Sequence, residues 1–284
     1  MTHHVTVGLD GSAESSAAAR WAAREALLRG VPLEIVHVEE WLEHPPLPVS
    51  TTEITRRWAD ALLEETAQEL RAAHPGLEVT TSRLGGLPSE ALARAAGSSS
   101  VLVIGSRGLG SVAGFVVGSV ASATIAEARQ PVVLVRASTD TSTDGAVIAG
   151  VDVRRPCDKL LAFAFDEASR RGSRLHVVHG WKPPPILSYA PALHPDALQE
   201  MSHGTATALD DMVKPWSDKF PTVEVVCSTP IGQAAVHVLD ASHDAALVVV
   251  GRRIRTSAFG THIGPVAHAV MHHCAAPVAV VAHD

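Results

Sequence analysis

The residues best suited to chemistry sit in one glycine-rich run, Gly105-Ser106-Arg107-Gly108-Leu109-Gly110-Ser111, followed by Gly118-Ser119-Val120-Ala121. The spacing is G-x2-G-x9-G-S. Gly105 and Gly108 can adopt φ > 0 and let main-chain N–H groups come close to a ligand. Gly118 and Ser119 open the next expected helix, where unpaired N–H groups and the helix dipole attract anions. A backbone nest beside a helix N-terminus suits a polyphosphate that bridges the two. Asp10 ends the first expected strand with a carboxylate, which suits ribose hydroxyls or a metal-bound water. Asp10-Gly11 taken alone also reads as an ordinary turn.

Other readings of the loop fit less well. A phosphate loop of the G-x4-G-K-[ST] type needs a lysine, and the first lysine of the chain is Lys159. A dinucleotide fingerprint can be laid on Gly108, Gly110 and Ala113. It would then follow the fourth strand rather than the first, which is not where that fingerprint belongs. A plain connector would explain one glycine, but not four with a serine at a helix start.

The elements that must position this loop are written twice. Val7-Gly8-Leu9-Asp10 reappears as Ala149-Gly150-Val151-Asp152, and Leu33-Glu34-Ile35-Val36-His37 as Leu175-His176-Val177-Val178-His179, both 142 residues later. Leu102-Val103-Ile104-Gly105 matches Val248-Val249-Val250-Gly251 at an offset of 146. A period this long indicates a duplicated domain, not a solenoid. The polar run from Ala137 to Gly145 supports neither strand nor helix, so the expected domains are 1–137 and 146–284.

Within the first copy, strands are expected over His4–Leu9, Leu33–Val38, Leu77–Ser82, Val101–Ile104 and Val132–Val135. Helices are expected from Ser12 to Arg29, about Glu53 to Ala73, Pro88 to Ala96 and Ser119 to Ala128. Ser12 suits a helix N-cap and Gly30 a helix stop. Short apolar β-branched runs alternating with helices mean parallel strands joined by crossover helices. The expected fold is therefore α/β: two tandem doubly wound domains, each a five-stranded parallel sheet with helices on both faces. The ligand site of such a sheet lies at the carboxyl ends of the strands, near the switch point between the first and fourth.

Composition narrows the class. With 46% hydrophobic and 19% charged residues, the chain is a packed globular protein rather than a disordered one. Its net charge of −7 argues against a nucleic-acid binder. No apolar run reaches the roughly 18 residues that cross a bilayer, so no membrane role is expected. The start lacks a secretory signal pattern. The three cysteines, Cys157, Cys227 and Cys274, form no C-x-x-C pair, and a cytoplasmic location is the simplest reading.

The whole chain resembles a tandem universal stress protein of the ATP-binding branch. The resemblance rests on Gly8-Leu9-Asp10-Gly11-Ser12, Val36-His37-Val38, the full motif from Gly105 to Ser119, and Pro131-Val132-Val133-Leu134-Val135. It implies that Gly8 and Asp10 line the adenosine side and that Val38 contacts adenine. It implies that Gly105, Arg107 and Gly108 surround ribose and phosphates, and that Gly118, Ser119 and Val120 hold phosphate. Ser106, Leu109, Gly110 and Ser111 complete the candidate loop. The implied cofactor is ATP, alone or with Mg2+. The implied role is a nucleotide-responsive regulatory or interaction module in stress or growth adaptation, with a regulatory protein partner and a homodimer as its assemblies. The alternative is a slow ATPase or nucleotidyl-transfer enzyme on the same scaffold. It lacks support beyond Asp10 for water activation or metal ligation beside a γ-phosphate.

The second copy departs from the motif. Ile254 stands where the second glycine belongs, and Pro265 replaces the serine after Gly264. Proline there removes an N–H and a hydroxyl together. The arginines Arg252, Arg253 and Arg255 could hold an anion or simply face solvent. Elsewhere, His268 and His272 have zinc-ligand spacing on the last helix, but no H-E-x-x-H pattern supplies the rest of a site. His37 and His179 occupy matching strand positions and suggest a structural role near the pocket. The five tryptophans are too scattered for a nucleic-acid stacking platform.

Overall fold

The computed structural model describes residues 4–40, 49–106, 117–137, 145–186, 195–254 and 263–283. The chain divides into two compact units, 1–141 and 142–284.

In the first unit the elements run β1 (Val5–Gly8), α1 (Ala13–Arg29), β2 (Leu33–Glu39), α2 (Val49–Ala73), β3 (Val79–Gly85), α3 (Pro88–Ala96), β4 (Val101–Gly105), α4 (Ser119–Glu127) and β5 (Val132–Val135). The strand order is β3-β2-β1-β4-β5, and every ladder within the unit is parallel. Chain order reverses between β1 and β4, so their carboxyl ends part to leave a crevice. Val5, Val7, Leu33, Ile35, Leu102 and Val103 are fully buried, as strands covered on both faces require.

Local chemistry sets the helix ends. The Ser12 hydroxyl accepts from the Ser15 N–H at 3.1 Å and starts α1. Gly30 closes it in the left-handed conformation at φ 64°. β3 runs Val79–Gly85, later than the Leu77–Ser82 span expected from the sequence. Its register is set by β2, from Leu33 opposite Val79 to Glu39 opposite Gly85, and its partly exposed residues carry little apolar pattern.

The second unit runs β6 (Ala146–Gly150), α5 (Asp158–Arg171), β7 (Leu175–Val178), α6 (Pro195–Lys219), β8 (Val225–Ser228), α7 (Ala234–Ala241), β9 (Ala245–Arg253), α8 (Pro265–His273) and β10 (Val278–His283). Its order is β10-β9-β6-β7-β8, again with parallel ladders. Each unit is thus an α/β fold with helices on both faces of its sheet. No described helix is long and apolar enough to cross a membrane.

Candidate functional site

A cleft of about 330 Å³ opens at the carboxyl ends of β2, β1 and β4 in the first unit. That volume falls at the lower end of the range for small-molecule sites. Of the residues singled out from sequence, Gly8, Asp10, Val38, Gly105, Gly118, Ser119 and Val120 all line it. Ser106 lies just beyond, its hydroxyl buried without a hydrogen-bond partner among the described residues. Arg107, Gly108, Leu109, Gly110 and Ser111 lie outside the described residues.

Asp10 is oriented by the turn that follows it. Its Oδ1 accepts from the Ser12 N–H at 3.0 Å and from the Ser12 hydroxyl at 2.5 Å. Gly11 makes that turn with φ +81°, a conformation L side chains rarely adopt. Behind it, the His37 ring donates from Nδ1 to the Leu9 carbonyl at 2.8 Å and ties the end of β2 to that of β1. A carbonyl can only accept, so this bond fixes the proton on Nδ1.

At the other end of the cleft, Gly118 is the N-cap of α4, with φ −62°, ψ 158° and no side-chain cap. The first-turn N–H groups of α4 have no intrahelical acceptor and face the cleft. The described lining carries two carboxylates, Asp10 and Glu14, and no lysine or arginine. One end therefore suits hydroxyls or a cation, and the other suits an anion.

Gly105 acts differently from the sequence expectation, while Gly118 opens α4 as expected. Gly105 has no positive φ; a Cβ there would stand 2.6 Å from both the Glu14 carbonyl carbon and the Ser15 nitrogen. Its bareness lets the start of α1 press against the end of β4. Gly118 also has no positive φ, and a Cβ there would meet nothing within 4 Å. The apolar contributors Pro88 and Leu92 were not singled out from sequence. The buried face of α3, with Ala91, Leu92 and Ala96, was the signal for them.

The second unit has a corresponding cleft of about 400 Å³ with different chemistry. Asp152 is clamped by Arg154 Nε at 3.0 Å and Arg155 Nε at 3.3 Å. Partial burial works to raise its pKa, but the hydrogen bonds and charge of Arg154 outweigh it and hold the carboxyl below its usual value. The N–H of Ile254 is committed to the His283 carbonyl at 2.7 Å. Pro265 takes the first position of α8 and offers no N–H. His179 repeats the bond of His37, with Nδ1 3.1 Å from the Val151 carbonyl. Ala234 of α7 crowds Gly180, the position that matches Val38: a Cβ there would fall 2.4 Å from the Ala234 Cα. On α8 the rings of His268 and His272 stack at 4.3 Å. Among the described residues, no group of three or more His, Cys, Asp or Glu is arranged around a common point for a metal ion.

Comparison with known proteins agrees with the duplicated architecture. The sequence model of the universal stress protein family matches residues 1–136 and again 145–282. Universal stress protein Rv2005c of Mycobacterium tuberculosis is 32% identical over 292 residues, covering 98% of this chain and 96% of that protein. Universal stress protein Rv2623 of the same organism is 31% identical over 293 residues, covering 97% and 95%. A crystal structure of a universal stress protein from Archaeoglobus fulgidus superposes with a TM-score of 0.76 at 18% identity, covering all of both chains, and shares the fold. With both halves matched by one family model and full-length relatives above 30% identity, the chain belongs to the universal stress protein family.

Proposed function

We propose that this chain binds ATP, alone or with Mg2+, in the cleft of its first domain and acts as a nucleotide-responsive regulatory or interaction module. The observation that carries this reading is the polarity of that cleft. A carboxylate-bearing turn at Asp10 faces one end, and the uncapped N-terminus of α4 at Gly118 and Ser119 faces the other. A nucleotide spanning the crevice would set its ribose hydroxyls or metal beside Asp10 and its phosphates against α4. In this reading the domains are 1–137, with the working cleft, and 146–284, with an altered one. Gly108 and the rest of the loop from Ser106 to Ser111 complete the phosphate end. A regulatory protein partner, a homodimer and a cytoplasmic location belong to the same reading.

The test is nucleotide carried through purification. The protein is denatured, the precipitate removed, and the supernatant resolved by anion exchange against adenine nucleotide standards. An adenine nucleotide approaching one equivalent per chain supports the reading. A clean supernatant from protein that also shows no affinity for added ATP refutes it.

A further inference from the structure

Beside the first cleft, next to its lining residue His37 but outside the lining itself, stands an aromatic side chain that is not part of the glycine motif. Trp58 stands on α2 with 49% of its surface exposed. Its ring meets His37 edge to face, centroids 5.6 Å apart and planes at 78°. Its Cζ2 lies 2.9 Å from the place where Gly11 would carry a Cβ. A lone exposed tryptophan needs no explanation, but this one is fixed from two sides. Gly11 leaves the space for it and His37 braces it, and both adjoin the cleft at its Asp10 end. The sheet order places that end, at β2 and β1, away from the α4 terminus that follows β4.

Resting on the reading that a nucleotide spans this cleft with its phosphates at α4, we propose that Trp58 is the stacking wall for the nucleobase. The site then recognises an aromatic base joined to a polyphosphate, not polyphosphate alone. A base has an apolar π-face and needs a flat partner, which Trp58 supplies. The second copy supports a role in binding rather than in folding. Its helix of the same 25-residue length has Gly204 at the matching position, and Val153 replaces Gly11. His179 still makes its bond to Val151 there, so the strand ends are tied without an indole.

The experiment compares wild type, Trp58→Ala and Trp58→Phe as full chains, with circular dichroism and thermal melting to check the fold. Calorimetry measures Mg-ATP and inorganic tripolyphosphate, and tryptophan emission is followed during the ATP titration. Trp58→Ala should weaken ATP about tenfold while leaving tripolyphosphate unchanged, and Trp58→Phe should recover most of the loss. ATP should quench wild-type emission, and Trp58→Phe should abolish most of that quench. A folded Trp58→Ala protein with wild-type ATP affinity overturns the wall and leaves the nucleotide reading standing. Equal losses for ATP and tripolyphosphate also overturn it. If Trp58→Ala does not fold, a full quench retained in Trp58→Phe overturns it. Wild type that binds no ATP removes both the wall and the reading beneath it.

Discussion

The main-chain nitrogen of Ser15 lies 2.6 Å from the point where Gly105 would carry a Cβ. Ser15 is the third residue of α1, its N–H taken by the Ser12 cap, and Gly105 ends β4 at the crevice. The first glycine of the motif therefore sets how closely α1 approaches the strand end, and so how the cleft is shaped. This gives it a cost separable from ligand binding. Gly105→Ala should destabilise the first domain by about 1–3 kcal/mol, the usual penalty of overpacking. Thermal melting of the protein without nucleotide checks it. An unchanged midpoint would mean the two backbones move apart freely.

Gly118 gives the opposite expectation. A Cβ there meets nothing within 4 Å, and the residue has an ordinary φ of −62°. Gly118→Ala should leave the melting curve intact while blocking close approach of phosphate oxygens to the α4 N–H groups. Each charge-assisted hydrogen bond lost costs about 1.5–3 kcal/mol, roughly ten- to a hundred-fold in affinity. Ser119→Ala should be milder, because the N–H groups remain. Gly264→Ala, at the matching N-cap of α8, should barely alter ATP affinity. Normal ATP binding by a folded Gly118→Ala protein would reduce this segment to a connector.

Cys227 offers a pH test of the second unit. Burial, then the charge and hydrogen bond of Asp210, push its thiol from 9.0 up to about 11. The raised value favours the neutral thiol in the fold. Its stabilising contribution is complete below pH 9.0 and lost as pH rises through about 11. Iodoacetamide labelling of Cys227, followed by peptide mass mapping, should be slow at about pH 8, where the thiolate is scarce. Asp210→Asn should speed it. Labelling of the native protein at the rate of a free thiol would contradict the assigned environment.

The duplicated strand ends are legible because Val7-Gly8-Leu9-Asp10 and its repeat must bury both faces and still end in a turn. Ser12 and Gly30 marked the limits of α1 because a side-chain cap and a left-handed stop leave direct residue signatures. β3 runs later than its sequence expectation because Val79–Gly85 has little apolar periodicity, and its position comes from pairing with β2. The role of Gly105 was not legible. A bare position needed for helix packing and one needed for ligand approach look the same in sequence. Trp58 was hidden for a related reason: its neighbours Gly11 and His37 come from other elements and meet only in the folded unit.

Asymmetry between the two copies is the central claim, and calorimetric titration of the full chain with Mg-ATP measures it most directly. Gly118 opens α4 onto a cleft whose Asp10 accepts from Ser12 in its own turn, whereas Pro265 opens α8 and Asp152 is clamped by two arginines. The account predicts one strong site per chain, weakened by Gly118→Ala and untouched by Gly264→Ala. Two equivalent tight sites, or no heat of binding at all, would contradict it.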